Sequence, residues 1–144
     1  MSQSPLQLDR YFFVKISLEA NAKGDPKAVY NIEAKTDVSR DESRDGHFLV
    51  SLTVRLKSLD DALPCYDGEV VVMGYFHVDQ DYPPQKCEPL VAINGASILY
   101  GAIREMVSNL SARGPWPMLV LAPLNFAALN REAKEGVESV GQPT

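Results

Sequence analysis

Residues 48–78 read FLVSLTVRLKSLDDALPCYDGEVVVMGYFHV, and this stretch decides the fold. From Phe48 to Leu59 the residues alternate, with Phe48, Val50, Leu52, Val54 and Leu56 on one face and Ser51, Thr53, Arg55 and Lys57 on the other. A period of two marks a strand with one buried face. Asp60-Asp61-Ala62-Leu63-Pro64 then reads as a turn, and Cys65 to Val78 as the antiparallel partner. The second half of that partner is apolar on both sides: Val70, Val72 and Phe76 point one way, Val71, Met73 and Tyr75 the other. Such a strand is expected to be covered on both faces.

Two more strands precede this hairpin. Tyr30 to Val38 alternates Tyr30, Ile32, Ala34, Thr36 and Val38 against Asn31, Glu33, Lys35 and Asp37, and the charged segment after it ends in the turn pair Asp45-Gly46. Tyr11 to Ala20 sets Phe12, Val14, Ile16 and Leu18 against Lys15, Ser17 and Glu19, with Phe13 breaking the polar face. A crossover loop, Asn21 to Lys27, follows it around Gly24-Asp25-Pro26. Four strands with polar connections predict an antiparallel meander.

Downstream the period changes. Asp79 to Pro89 is expected to be irregular, because Pro83, Pro84 and Pro89 interrupt it. Ile98, Leu99, Ala102, Ile103, Met106, Val107 and Leu110 then recur at helical spacing, with Ser97 or Asn94 as N-cap and Gly114-Pro115 as the stop. Trp116 to Ala122 is an apolar extended stretch, and Asn125 caps a second helix carrying Phe126, Leu129 and Ala133. The fold class is α+β: a four-stranded antiparallel sheet, then a long helix and a shorter C-terminal one. The chain is expected to form a single domain over 1–136 with a flexible tail over 137–144.

Composition fits. The 144 residues are 45% hydrophobic and 23% charged, a globular mixture large enough to bury a core without disulfides or metals. The net charge of −5 argues against a nucleic-acid backbone as partner. No apolar run approaches the ~20 residues of a bilayer span, and Met1-Ser2-Gln3-Ser4-Pro5 has no signal-peptide character, so a cytoplasmic protein is expected.

Chemistry is sparse. His77 with Cys65 and Cys87 could supply three metal ligands, but a structural zinc site needs four closely spaced ones and no C-x-x-C pair is present, so no metal site is expected. A Cys–His nucleophilic pair lacks any supporting motif, and the sequence holds neither a phosphate-binding glycine loop nor G-x-S-x-G. Neither catalysis nor a cofactor is indicated. What stands out is apolar surface beyond what one small chain covers, on the helical stripe and on the two-faced strand, which implies self-association or a bound partner.

Ser97-Ile98-Leu99-Tyr100, Arg104-Glu105, Arg113-Gly114-Pro115-Trp116-Pro117-Met118-Leu119, Leu121-Ala122-Pro123-Leu124-Asn125-Phe126 and Ala128-Leu129 together resemble the SecB family of protein-export chaperones. Weaker, collinear similarity covers Leu8-Asp9-Arg10, Ile16-Ser17-Leu18-Glu19-Ala20 and Asp67-Gly68-Glu69-Val70. The resemblance implies a holdase of the bacterial cytoplasm, a dimer of dimers that binds unfolded precursor polypeptides and passes them to the translocase motor SecA. Glu19 and Glu69 match positions at which the family docks SecA, whereas Lys15 stands where the family carries aspartate. Gly101-Ala102-Ile103 replaces the family's Pro-Tyr-Ala, and Ala127 its aspartate. The expected oligomer interface is Ile98, Leu99, Ala102, Ile103, Met106 and Val107. Expected client-binding residues are Tyr30, Ile32, Ala34, Trp116, Phe126 and Leu129. An alternative is a solitary SecB-like chaperone dedicated to one client, such as the antitoxin of a toxin–antitoxin pair. A small-ligand enzyme using the cleft beside Trp116 to Phe126 ranks last, because that segment contains no titratable group.

Overall fold

A computed structural model describes residues 3–59 and 61–141, with side chains through residue 133. Four strands, β1 (Leu6–Ala20), β2 (Tyr30–Arg40), β3 (His47–Ser58) and β4 (Tyr66–Val78), form one antiparallel sheet in the order β1-β4-β3-β2. The meander therefore runs through β2, β3 and β4. β1 departs from it by pairing with the far side of β4, a position that a tight two-residue turn could not reach and that the loop after Ala20 makes possible. That loop is pinned beneath β4, where Asn21 N–H donates to the Cys65 carbonyl at 2.8 Å and the Asn21 side-chain amide to the Pro64 carbonyl at 2.7 Å.

Alternation in β2, β3 and β4 holds as read. In β3 and β4 the even-numbered apolar residues form the core, with Val50, Leu52, Val72 and Phe76 wholly buried. β1 differs, because the register shifts between Leu8 and Arg10 and again between Phe13 and Lys15. Each bulge adds one residue and so exchanges the faces of what lies beyond it. Phe12 therefore joins Lys15, Ser17 and Glu19 on the outer face, opposite Met73, and Phe13 packs on the core opposite Val72. A strict period of two across the whole strand is corrected on this point.

The helical layer also begins earlier than the prolines suggested. α1 (Pro84–Leu90), a π-helical turn (Val91–Gly95) and α2 (Ala96–Ser111) form a continuous 28-residue run. Pro84 stands in the first turn, where its missing N–H would be unpaired anyway. Pro89 lies inside the helix, and the wider π turn follows it directly, as happens where the regular ladder is interrupted. Ser97 and Asn94 are consequently inside the helix; Ser97 Oγ donates to the Ile93 carbonyl at 3.0 Å. The run is long and apolar enough by composition to cross a bilayer, but it places Val91, Ala96, Leu99, Ile103 and Val107 against the sheet. Gly74 permits the close approach, since a Cβ there would meet Leu99 Cδ2 and Phe76 Cε2 at 2.9 Å.

Leu99, Ile103 and Val107 are thus core of this chain, at 0%, 0% and 2% exposure, and their assignment to an oligomer interface is corrected. The apolar stripe is wide enough to have two sides. One seals the sheet; the other leaves Ile98 exposed and Ala102 and Met106 half-buried. α3 (Phe126–Gly141) starts where Asn125 Oδ1 accepts from the Ala128 N–H at 3.0 Å, an N-cap as expected. It continues past the expected boundary at 136, and residues 142–144 of the expected tail lie outside those described.

Candidate functional site: a trough along the edge strand and a charged outer face

α2 packs on β3, β4 and β1, so the inner row of edge strand β2 meets chiefly the π turn. Tyr30, Ile32, Ala34, Thr36 and Val38 are left half-buried in consequence. A groove of about 500 Å3 opens beside this row, with Ile32, Ala34 and Leu129 as its apolar residues and Glu33, Lys35 and Arg55 at its rim. A second groove adjoins it at Thr36 and Val38, bounded by Pro89, Ala92 and Asn130. The two make an amphipathic trough along an unpaired strand edge, the shape and chemistry that suit an extended polypeptide.

Of the residues expected to hold clients, Ile32, Ala34 and Leu129 come together in this trough. Tyr30 heads the same row but lies outside the groove: its hydroxyl accepts from the Tyr66 N–H at 2.9 Å, and partial burial pushes its phenol up, against the pull of that hydrogen bond. Trp116 lies apart, half-buried beside the crossover loop, where its indole Nε1–H donates to the Asn21 carbonyl at 3.0 Å. Phe126 is core: it is 4% exposed and meets Tyr100 edge-on at 5.6 Å, so its assignment to an accessible client surface is corrected. Thr36, Val38 and Ala92 were missed by sequence reading. The first two continue the row already recognised, whereas Ala92 lies between the irregular segment ending at Pro89 and the helical period that starts at Ile98.

The segment between α2 and α3 is stitched to the helix by a ladder at helical spacing. Tyr100 Oη donates to the Ala122 carbonyl at 2.5 Å, Arg104 Nε to Leu121 at 2.9 Å and Ser108 Oγ to Leu119 at 2.8 Å. Ser111 Oγ accepts from the Leu119 N–H at 2.8 Å and donates to the Val107 carbonyl at 2.7 Å. Leu121 is buried as a result, while Met118 and Val120 point outward at 53% and 70% exposure.

On the outer face of the sheet, the face that carries Arg55, Glu19 stands across from Asp67 and Ser17 across from Glu69. Glu69 is held by Lys15 at 3.4 Å and Arg55 at 3.3 Å. Partial burial works to raise its pKa, but the hydrogen bond and charge of Lys15, with those of Arg55, outweigh this and hold it below the usual glutamate value. Sequence reading named Glu19 and Glu69 but not Asp67, the third acid of the patch, whose place follows from the odd-numbered face of β4. The patch is therefore mixed in charge, with three carboxylates interleaved by two cations.

Cys65 directly precedes β4 and His77 lies near its other end, about 40 Å away at strand rise. A ligand set combining them is excluded. Both thiols are buried, and burial followed by the charge of Asp25 pushes Cys65 up, so its thiolate is disfavoured.

The chain is thus a four-stranded antiparallel sheet with one helical layer and an open trough along its edge strand, the architecture of a SecB-like fold. The chain belongs to the SecB family, whose model, described as preprotein translocase subunit SecB, matches residues 1–136. It is similar to the protein-export protein SecB of Psychrobacter arcticus, 27% identical over 142 residues that make up 97% of this chain and 95% of that protein. It is 31% identical to the same protein of Methylococcus capsulatus over 121 residues, 84% of this chain and 75% of that one. Among solved structures it resembles a SecB-like chaperone of Mycobacterium tuberculosis in complex with a peptide from an antitoxin, with a TM-score of 0.68, 20% identity, and 83% of this chain and 91% of that one covered. The family makes this a protein-export chaperone.

Proposed function

We propose that this protein is an ATP-independent holdase of the bacterial cytoplasm, which binds unfolded precursor polypeptides along the β2 trough and delivers them to SecA as a homotetramer. The half-buried apolar row of β2 beside Leu129 carries the reading. It offers apolar side-chain sites with a polar rim, so it can hold many sequences by their alternate residues and an extended backbone. No step in holding requires a bond to be made or broken, so nucleotide is unnecessary.

The test is suppression of aggregation of a chemically unfolded polypeptide by the purified protein without nucleotide. Ile32→Asp and Leu129→Asp should each abolish suppression while leaving the fold intact by circular dichroism. Undiminished suppression in both would remove the trough from the mechanism.

A second reading has its own observation. Lys15 and Arg55 both engage Glu69, which leaves the outer face poorer in free negative charge than a surface steering a basic partner should be. This favours a chaperone serving a single client without SecA, as the antitoxin peptide bound by the Mycobacterium tuberculosis neighbour illustrates. Titrating SecA against wild type, Glu69→Lys and Lys15→Asp separates the two. Loss in the first variant and gain in the second support delivery; no binding by any form supports the dedicated chaperone.

A further inference from the structure

Asp9, His47 and His77 come from three strands and meet at one end of the outer sheet face, with their candidate ligand atoms within 4.8 Å of one another. The backbone brings them there. His47 and His77 are register partners across β3 and β4, and their rings stack at 5.6 Å with 25° between planes. His47 follows directly on Gly46, whose positive φ of 75° sets the turn into β3. On the other flank, Gln7 is the β1 partner of His77, and the first bulge of β1 falls at Asp9. The inserted residue carries its carboxylate to His77, where Asp9 Oδ1 lies 2.7 Å from Nδ1. Bulges often re-aim a side chain toward a site in this way.

The ring contacts define which nitrogens are available. His47 Nδ1–H donates to the Asp45 carbonyl at 3.1 Å, which leaves the Nε2 lone pair for a ligand. A backbone carbonyl holding the second ring nitrogen is the usual support of a metal-bound imidazole. At His77 the Nδ1 proton bridges to Asp9. A cation between these two atoms replaces that proton, which moves to Nε2, so the neutral ring keeps one N–H.

We infer that Asp9, His47 and His77 bind a divalent transition-metal ion of the zinc class, with water completing its shell. Two imidazoles and one carboxylate suit a borderline ion such as zinc better than calcium or magnesium, which take oxygen ligands. Ligand atoms must draw in to bonds of roughly 2.0–2.2 Å, and the side chains of His77 and Asp9, at 36% and 41% exposure, have room to turn. The backbone need not move. An ion here ties β1, β4 and β3 together, independently of how clients are held.

The experiment uses tag-free, chelator-treated full-length protein titrated with zinc chloride. Calorimetry should show one saturable site per chain, with affinity lowered ~tenfold or more in His47→Gln, His77→Gln and Asp9→Asn. The Cys65→Ser, Cys87→Ser double variant should bind as the wild type does. Long-range proton–nitrogen spectra of the unmutated protein should show the ring nitrogens of both histidines shifting together, complete at one equivalent, a readout that does not depend on any variant folding. Absence of saturable binding, ring spectra unmoved by zinc, or affinity lost only in the cysteine variant would overturn the site.

Discussion

Glu69 shows how a single exposed carboxylate is tuned by its neighbours. Its pKa lies below the usual glutamate value in the folded chain, so the unfolded chain binds the proton more readily. The associated stability is complete above the unfolded value and is lost as pH falls through the lower folded value. The difference in urea midpoint between wild type and Glu69→Gln should therefore be largest near neutrality and vanish as pH drops well below roughly 4.3. Because the pair is near the surface, added salt should shrink it too. Gly74 is a residue of the other kind, silent chemically and decided by space. Gly74→Ala pushes a methyl toward Leu99 and Phe76, and should cost about 1–3 kcal/mol in urea unfolding.

Between elements, the decisive contacts are those that lay the connecting segment along α2. Tyr100, Arg104, Ser108 and Ser111 recur at helical spacing and offer one polar stripe, the first three to the carbonyls of Ala122, Leu121 and Leu119 and the last to the Leu119 N–H. Burial pushes the Tyr100 phenol up, with Arg104 opposing, which keeps it a hydrogen-bond donor across the physiological range. Ser111→Ala removes the buried acceptor of the Leu119 N–H and should cost about 1–3 kcal/mol. Amide exchange at Leu119 should accelerate more than at the middle of α2. Much of this was legible: the change from period two to helical spacing located α2, and Asn125 announced α3. The bulges of β1 were not, because no residue in Leu8-Asp9-Arg10 or Phe13-Val14-Lys15 signals an inserted position. Nor was α1, since Pro84 is at home in a first turn and Pro89, disfavoured in a regular helix interior, is accommodated where the ladder widens into the π turn.

At the scale of the molecule, apolar surface remains on the helix-bearing side next to β1. Tyr11, Ile16 and Ile98 are 47%, 44% and 44% exposed there. This surface, together with the outer shoulder of α2, is where the proposed tetramer would close. Ile98→Asp should lower the mass seen by light scattering toward the chain's own 15.9 kDa while leaving single-chain folding intact. Ile103→Asp, with its carboxylate buried among core residues, should prevent folding altogether. If both variants merely dissociated, α2 would be an interface helix on both sides, and its packing on the sheet would be secondary.

What the sequence determined by itself is whatever depends on local periodicity and local chemistry: four strands, two helical segments, the β2–β3–β4 meander, the cap at Asn125, and family membership through the run from Ser97 to Leu129. The β2 row was legible for the same reason, because alternation states which residues share a face. Tertiary structure decided which side of the wide α2 stripe is core, because period alone cannot say which of two apolar flanks meets the sheet. It also decided that Phe126 is buried, that Glu69 is paired, and that Asp9 reaches His77. Each depends on residues brought together from distant parts of the chain, and for Asp9 on one inserted residue that shifts a strand's register against its neighbour.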